Sequence, residues 1–334
     1  MSESAKLGQL RICVEKPLRV EEHAMHSLRN GANSEQHFHR LRAAFFTQKL
    51  WPKGTTIRVS FYPRPSNRVM ASWTPIDVMK ARREPDGSAA KIDPIEYKIR
   101  DLSFEDAVRK VVHERISPYC GLKFVFVPSG GNVRIGFDAG NGSWSLVGTD
   151  SLKSDKKTMN FAWLDAATIM HEFGHVLGMI HEHQNPRGNP IEWNIPVVDA
   201  WATQTQGWNK QTTYSNIIQH YSLDQINGSK YDPGSIMMYF FPAKMTTDHK
   251  GTNINMMLSP TDVIYINKLY PGGLQTPAEF YKKAYGESLS GSPAKNFGKM
   301  PWMLLWLIPL ILVIVIGLVW LGWRFRKKRS GRYN

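Results

Sequence analysis

The chain has 334 residues, with 42 Lys and Arg against 28 Asp and Glu and a formal net charge of +14. That length supports one sizeable domain with a core of its own, plus appendages. Six of the basic residues (Arg324, Arg326, Lys327, Lys328, Arg329 and Arg332) crowd the end, leaving +8 for everything before them. With no interleaved basic and aromatic pattern, the excess charge does not point to nucleic acid.

Residues 1–48 are polar and basic, with His23, His26, His37 and His39 at irregular spacing, and read as a solvated segment: a pro-segment, an extra subdomain or a flexible arm. Met1 to Lys16 contains no apolar run of the kind a signal peptide needs. Thr55 to Tyr62 alternates and is β-rich, which predicts a strand. Residues 63–101, with five prolines and Pro85-Asp86-Gly87, predict a loop insertion with one short helix. Ser103, followed three positions on by Asp106, has the pattern of an N-cap opening an amphipathic helix to about Ile116. Leu122 to Val127 and Val133 to Phe137 read as strands, and Leu146 to Thr149 and Thr158 to Phe161 as shorter ones. Asp165 caps a helix that runs to about Leu177 and stops at Gly178.

Beyond it the chain is irregular, with Asn185-Pro186 and Gly188-Asn189-Pro190, then one helix over 209–222. A last helix is capped by Ser259 with Asp262 and ends near Leu269, and Pro271-Gly272-Gly273 closes a domain spanning 49–273. Residues 274–300 have a linker's composition. Trp302 to Trp323 carries no charge over 22 residues, long enough to cross a bilayer as a helix within a segment 301–323, with tryptophans near both ends and a basic tail at 324–334. The order of elements predicts an α+β architecture, strand-rich first and irregular and helical afterwards.

Within the central helix, residues 171–181 read His-Glu-Phe-Gly-His-Val-Leu-Gly-Met-Ile-His. His171 and His175, four apart, project from one helical face, and Gly178 permits the sharp turn that returns His181 as a third imidazole. Three nitrogen ligands with an open position are what a catalytic Zn²⁺ site requires. Glu172 stands beside the first ligand, where its carboxylate serves as general base without ligating.

This segment resembles the HExxHxxGxxH element of the metzincin zinc endopeptidases. Glu182 after the third histidine, and Tyr231-Asp232-Pro233-Gly234-Ser235-Ile236-Met237-Met238-Tyr239, resemble the astacin family. Met237 matches the methionine beneath the metal and Tyr239 the tyrosine near it, while Met238 stands where His is usual. Trp51-Pro52, Gly142-Ser143-Trp144-Ser145 and Leu258-Ser259-Pro260-Thr261-Asp262 follow in the family's order. The resemblance implies a metzincin-type fold: an N-terminal twisted mixed sheet with helices, an active-site helix, and an irregular helical C-terminal half. It implies one zinc ion held by His171, His175 and His181, with Glu172 and Tyr239 catalytic. It further implies a protein or peptide substrate, pairing with a strand edge at Trp144 to Val147. Glu182 would fix the amino terminus of a trimmed chain, although the family's F-x-G-D pro-segment motif is not visible in residues 1–48. The alternative is a non-catalytic zinc module, an adhesion or coat protein on a protease fold.

Only Cys13 and Cys120 occur, fewer than the two disulfides typical of secreted astacins require, which favours a reducing compartment or a lineage without the bridges. Cys13 is either a latency thiolate over the zinc or an ordinary thiol. The expectation is a single-pass membrane protein anchored by 302–323. The basic tail argues for an exported domain and the missing leader for a cytoplasmic one, with the lean to the cytoplasmic face.

Overall fold

Alternation of Ile57 and Val59, both fully buried, against exposed Thr56 and Arg58 makes Thr56–Phe61 a half-buried strand at the centre of the molecule. The structure, a computed structural model, describes residues 44–63, 69–228 and 230–289. Those up to Glu287 belong to one compact unit.

In chain order the strands are β1 (Ala44–Phe46), β2 (Thr56–Phe61), β3 (Ser72–Trp73), β4 (Lys123–Phe126), β5 (Val133–Gly136), β6 (Trp144–Ser145), β7 (Met159–Asn160), β8 (Trp163–Leu164) and β9 (Ile226–Gly228). The main sheet has the order β4-β2-β5-β7-β6. β2 runs parallel to β4 and β5, and β5 to β7, while β6 is antiparallel to β7 at the edge. This is the mixed sheet that the family resemblance implies. Parallel neighbours need long crossovers, and that from β2 to β4 carries α1 (Ile76–Lys80), α2 (Glu96–Ile99) and α3 (Phe104–Val111).

Ser103 caps α3 by accepting from Asp106 N. The helix buries Ala107, Val108 and Val111, and Phe104 meets Phe137 of the sheet at 5.5 Å between centroids. A π-turn, Val112–Ile116, prolongs it and delivers Arg115 to the buried carboxylate of Asp93 through three contacts of 2.8–3.0 Å. The central helix α4 (Ala166–Val176) is buried on every side, as a helix passing through a core must be.

The second half holds α5 (Ile195–Gln206), α6 (Lys210–Thr213, prolonged by a π-turn to Ile218), α7 (Pro260–Leu269) and α8 (Pro277–Tyr285). Ser259 and Asp262 form a full capping box on α7, and Thr276 and Glu279 another on α8.

Several boundaries move. The domain includes residues upstream of 49, because residues 44–46 pair antiparallel with β9. The insertion over 63–101 holds two short helices and β3, which pairs with β8. The strand placed at 146–149 sits at Trp144–Ser145 instead, and Gly148–Lys153 is a 3-10 turn. Gly148 sits at φ 53, and a Cβ there would lie 1.9 Å from Lys49 O. The helix over 209–222 ends at Ile218.

The reading of 274–300 as linker fails over its first part. Phe280 of α8 is buried against Tyr119 at 4.5 Å, and Tyr285 donates to Asp93 at 3.0 Å. Mixed apolar and charged residues hid a helix whose partners lie about 160 and 190 residues upstream. Residues 1–43 with Cys13, the apolar segment 302–323 and the basic tail 324–334 lie outside the described residues. Among the described residues no helix is long and apolar enough to cross a membrane.

Candidate active site

Asp165 starts α4 by accepting from Thr168 N at 2.7 Å, and its other oxygen takes the Thr74 hydroxyl at 2.7 Å. Glu96 accepts from Ala166 N at 2.6 Å and pairs with Arg100. Carboxylates at a helix N-terminus complement its free N–H groups and dipole. Burial first, and then the charge of Asp165, pushes the Glu96 carboxyl up to about 7.

The far end of the helix is held as firmly. The Trp51 indole N–H donates to Val176 O at 2.7 Å and the Tyr270 hydroxyl to Leu177 O at 2.8 Å. Gly178, at φ 92, then reverses the chain, as the sequence predicts.

The turn brings the three expected imidazoles together. One ligand atom from each of His171, His175 and His181 lies within 4.8 Å of the other two, and all three residues are buried. Their protonation follows from their partners. His171 Nδ1 faces Ile236 O at 2.9 Å and His175 Nδ1 faces Met179 O at 2.9 Å. A carbonyl only accepts, so each Nδ1 carries the proton and each Nε2 presents a lone pair inward. Burial, and then the neighbouring His175, lowers His171 to about 3. Burial lowers His175 to about 4 and holds His181 well below the usual imidazole value. All three are neutral at physiological pH.

His171 Nε2 is buried with no hydrogen-bond partner among the described residues. His175 Nε2 and His181 Nε2 approach to 3.1 Å. Converging imidazole lone pairs are costly unless a cation lies between them. The donor set fits one Zn²⁺, whose structural preference is for such neutral imidazole ligands.

Glu172 follows the first ligand and is fully buried. Tyr239 places its hydroxyl 2.5 Å from His181 Nε2 and stacks on His171 at 5.5 Å. Met237 lies beneath: a Cβ on Gly174 would meet its sulfur at 2.5 Å, so the thioether packs directly against the helix at that point.

The turn carrying Met237 hangs from Asp262. That carboxylate accepts from the Ser235 hydroxyl at 2.7 Å, Ile236 N at 2.8 Å and Ser259 N at 2.9 Å. Glu182 is buried as well. Its Oε1 accepts from Asn185 Nδ2 at 2.8 Å and Asp232 N at 2.7 Å, while Oε2 has no hydrogen-bond partner among the described residues.

The structure therefore brings His171, His175, His181 and Tyr239 together, and buries Glu172 next in the chain to the first of them. Sequence reasoning missed the supports. Trp51 was visible only as a weak family match, Asp262 as a weak family match and a helix cap, and Tyr270 and Glu96 gave no signal. It also missed His183, fully buried and stacked on Tyr239 at 5.1 Å and His181 at 5.4 Å, with Nε2 facing Asn216 O at 3.2 Å.

A sheet with an antiparallel edge, a buried ligand helix ended by glycine and a methionine-bearing turn below three histidines define the metzincin class of zinc peptidases. The family model for the astacin peptidases matches residues 90–270, more than half of the chain, and the chain belongs to that family of zinc metalloendopeptidases. The zinc metalloproteinase nas-24 of Caenorhabditis elegans is 27% identical over 159 residues, 46% of this chain and 38% of that protein. The chain thus spans well under half the length of that relative. A solved structure of myroilysin is 30% identical, covers 69% of this chain and 100% of its own, and superposes with a TM-score of 0.52. A second myroilysin structure is 28% identical, covers 68% and 87% of the two chains, and gives 0.42.

Proposed function

We propose that this protein is an endopeptidase that holds one zinc ion on His171, His175 and His181 and hydrolyses peptide bonds in protein substrates. The observation that carries the reading is the convergence of three neutral, buried imidazoles within 4.8 Å, one with an unpartnered Nε2. When bound, zinc acts as a Lewis acid that acidifies water and polarises the scissile carbonyl.

The chain's own residues do the rest. Glu172, fully buried, takes the proton of the attacking water and passes it to the leaving amine. Tyr239 donates its hydroxyl to the developing oxyanion. Ile236 O and Met179 O hold the first two imidazoles in the ligating tautomer. An extended substrate adds to the edge of β6, the terminal strand of the sheet.

Glu182 Oε2, buried near Asp232 and Asp262, supports the reading that it receives the ammonium of a trimmed amino terminus. Since residues 44–46 are built into a sheet, the trimming falls upstream of them. The uncharged segment 302–323 supports tethering to a membrane. The scarcity of cysteine supports a catalytic domain on the cytoplasmic face. Protease protection of the domain in sealed vesicles decides that side.

The test of the chemistry is Glu172→Gln. It should keep stoichiometric zinc while hydrolysis of a denatured protein falls by at least about 10²-fold. Undiminished hydrolysis removes Glu172 from the mechanism.

A further inference from the structure

A cavity of about 390 Å³ opens on the main sheet away from α4, lined by Tyr62, Met70, Phe137, Trp144, Lys156 and Lys157 among others. Its place follows from strand register. Gly136 pairs with Asn160, and Asn160 with Trp144. Paired residues project to the same face of a sheet, so these three share one. The adjacent set, Ile135, Met159 and Ser145, projects to the other face and is buried.

Gly136 keeps the floor open. A Cβ there would lie 2.3 Å from Lys157 Cδ, so the lysine chain lies directly across the strand. Lys157 Nζ is 2.8 Å from Asn160 Oδ1, 4.0 Å from Asp138 Oδ2 and 5.9 Å from the centre of the Trp144 ring. Lys156 is exposed beside it. The result is an aromatic and apolar floor with cations at the rim.

We infer that this cavity is a recognition pocket for an aromatic side chain of the peptide that adds to β6. The inference rests on the peptidase reading for the origin of that peptide. β6 is the terminal strand of its sheet and contributes Trp144 to the pocket wall. A residue of an added strand standing opposite Trp144 must project to Trp144's face, over the cavity, whether the strand runs parallel or antiparallel. Its neighbours along the peptide project away. An aromatic ring suits the site best, since its face meets the lysine cations and its edge the rings of Trp144 and Tyr62. An aspartate or glutamate in the same place would have to desolvate against the aromatic floor.

The test walks a single Phe through successive positions of an otherwise Ala- and Gly-rich peptide. It uses the full-length chain, produced without N-glycosylation because Asn141-Gly142-Ser143 at the cavity is a sequon. Two readouts run in parallel: kcat/KM on the zinc-loaded wild type, and fluorescence anisotropy of the labelled peptides on the Glu172→Gln protein. One register should bind about tenfold more tightly with Phe than with Ala, and the preference should alternate along the peptide. Asn141→Trp, which fills the cavity, and Tyr62→Ala, which removes a wall, should each bring the Phe-to-Ala ratio to about one. A flat walk, or a preference surviving both substitutions, overturns the pocket. A preference seen in binding while the wild type cleaves no peptide supports the pocket and overturns the peptidase reading instead.

Discussion

Asp262 is the residue through which helix α7 holds the metal-facing turn, and its replacement separates two kinds of support. The side chain is fully buried and accepts from the Ser235 hydroxyl, Ile236 N and Ser259 N. Asp262→Ala leaves two buried backbone N–H groups without an acceptor, at about 1–3 kcal/mol each. Together these reach about 2–6 kcal/mol, a large part of a domain's stability. Asp262→Asn keeps one oxygen for the two N–H groups and turns its amide toward Ser235 Oγ, whose hydroxyl can rotate to accept, so its cost is about 1 kcal/mol.

Because Ile236 O also holds His171 Nδ1, the alanine variant should loosen zinc by about 10–100-fold and the asparagine variant only a few-fold. Burial, with the charge of Asp232 behind it, pushes the Asp262 carboxyl up to about 7. Its unfolded value is about 3.9, so the folded state holds this proton more tightly. The resulting stability is complete below about pH 4 and is lost as pH rises through about 7, with a slope of at most about 1.4 kcal/mol per pH unit. Asp262→Asn cannot titrate and should flatten that part of the profile. Urea unfolding between pH 5 and pH 8, with zinc titration against a competing chelator, measures both effects. Equal costs for the two variants, or unchanged zinc affinity in Asp262→Ala, would refute the reasoning.

Tyr239→Phe should keep its zinc and fold while kcat falls about 10²-fold, the usual loss for one oxyanion donor; steady-state kinetics on a quenched peptide reads it, and an unchanged kcat takes the hydroxyl out of the reaction. Gly174→Ala places a methyl 2.5 Å from Met237 Sδ, an overpacking worth about 1–3 kcal/mol. Adding Met237→Ala should recover part of it, and strict additivity in a double-mutant cycle would show that the two do not touch.

What the sequence disclosed was local. The caps at Ser103, Asp165 and Ser259 all accept the predicted backbone N–H or a near neighbour of it, because a cap is decided within four residues. The ligand triad was legible for the same reason: helical spacing and one glycine bring the three histidines together. Contacts between distant segments were not. Tyr270 reaches back to Leu177, Trp51 to Val176, and Tyr285 to Asp93, and nothing in the neighbouring residues marks such a partner. β1 and α8 were missed on that account, since each is a short element stabilised by packing against the remote β9 or Tyr119. The edge strand was displaced because Leu146 and Val147, the more strand-like pair, lead into the turn at Gly148, whereas Trp144 and Ser145 make the ladder.

X-ray absorption at the zinc edge, with metal content, tests the central claim most directly in the wild type beside His171→Ala, His175→Ala and His181→Ala. The account predicts one zinc per chain with three imidazole nitrogens at about 2.0–2.1 Å, and loss of tight binding in each variant. A wild type without tightly held zinc, or variants that bind it as well as the wild type, would contradict it.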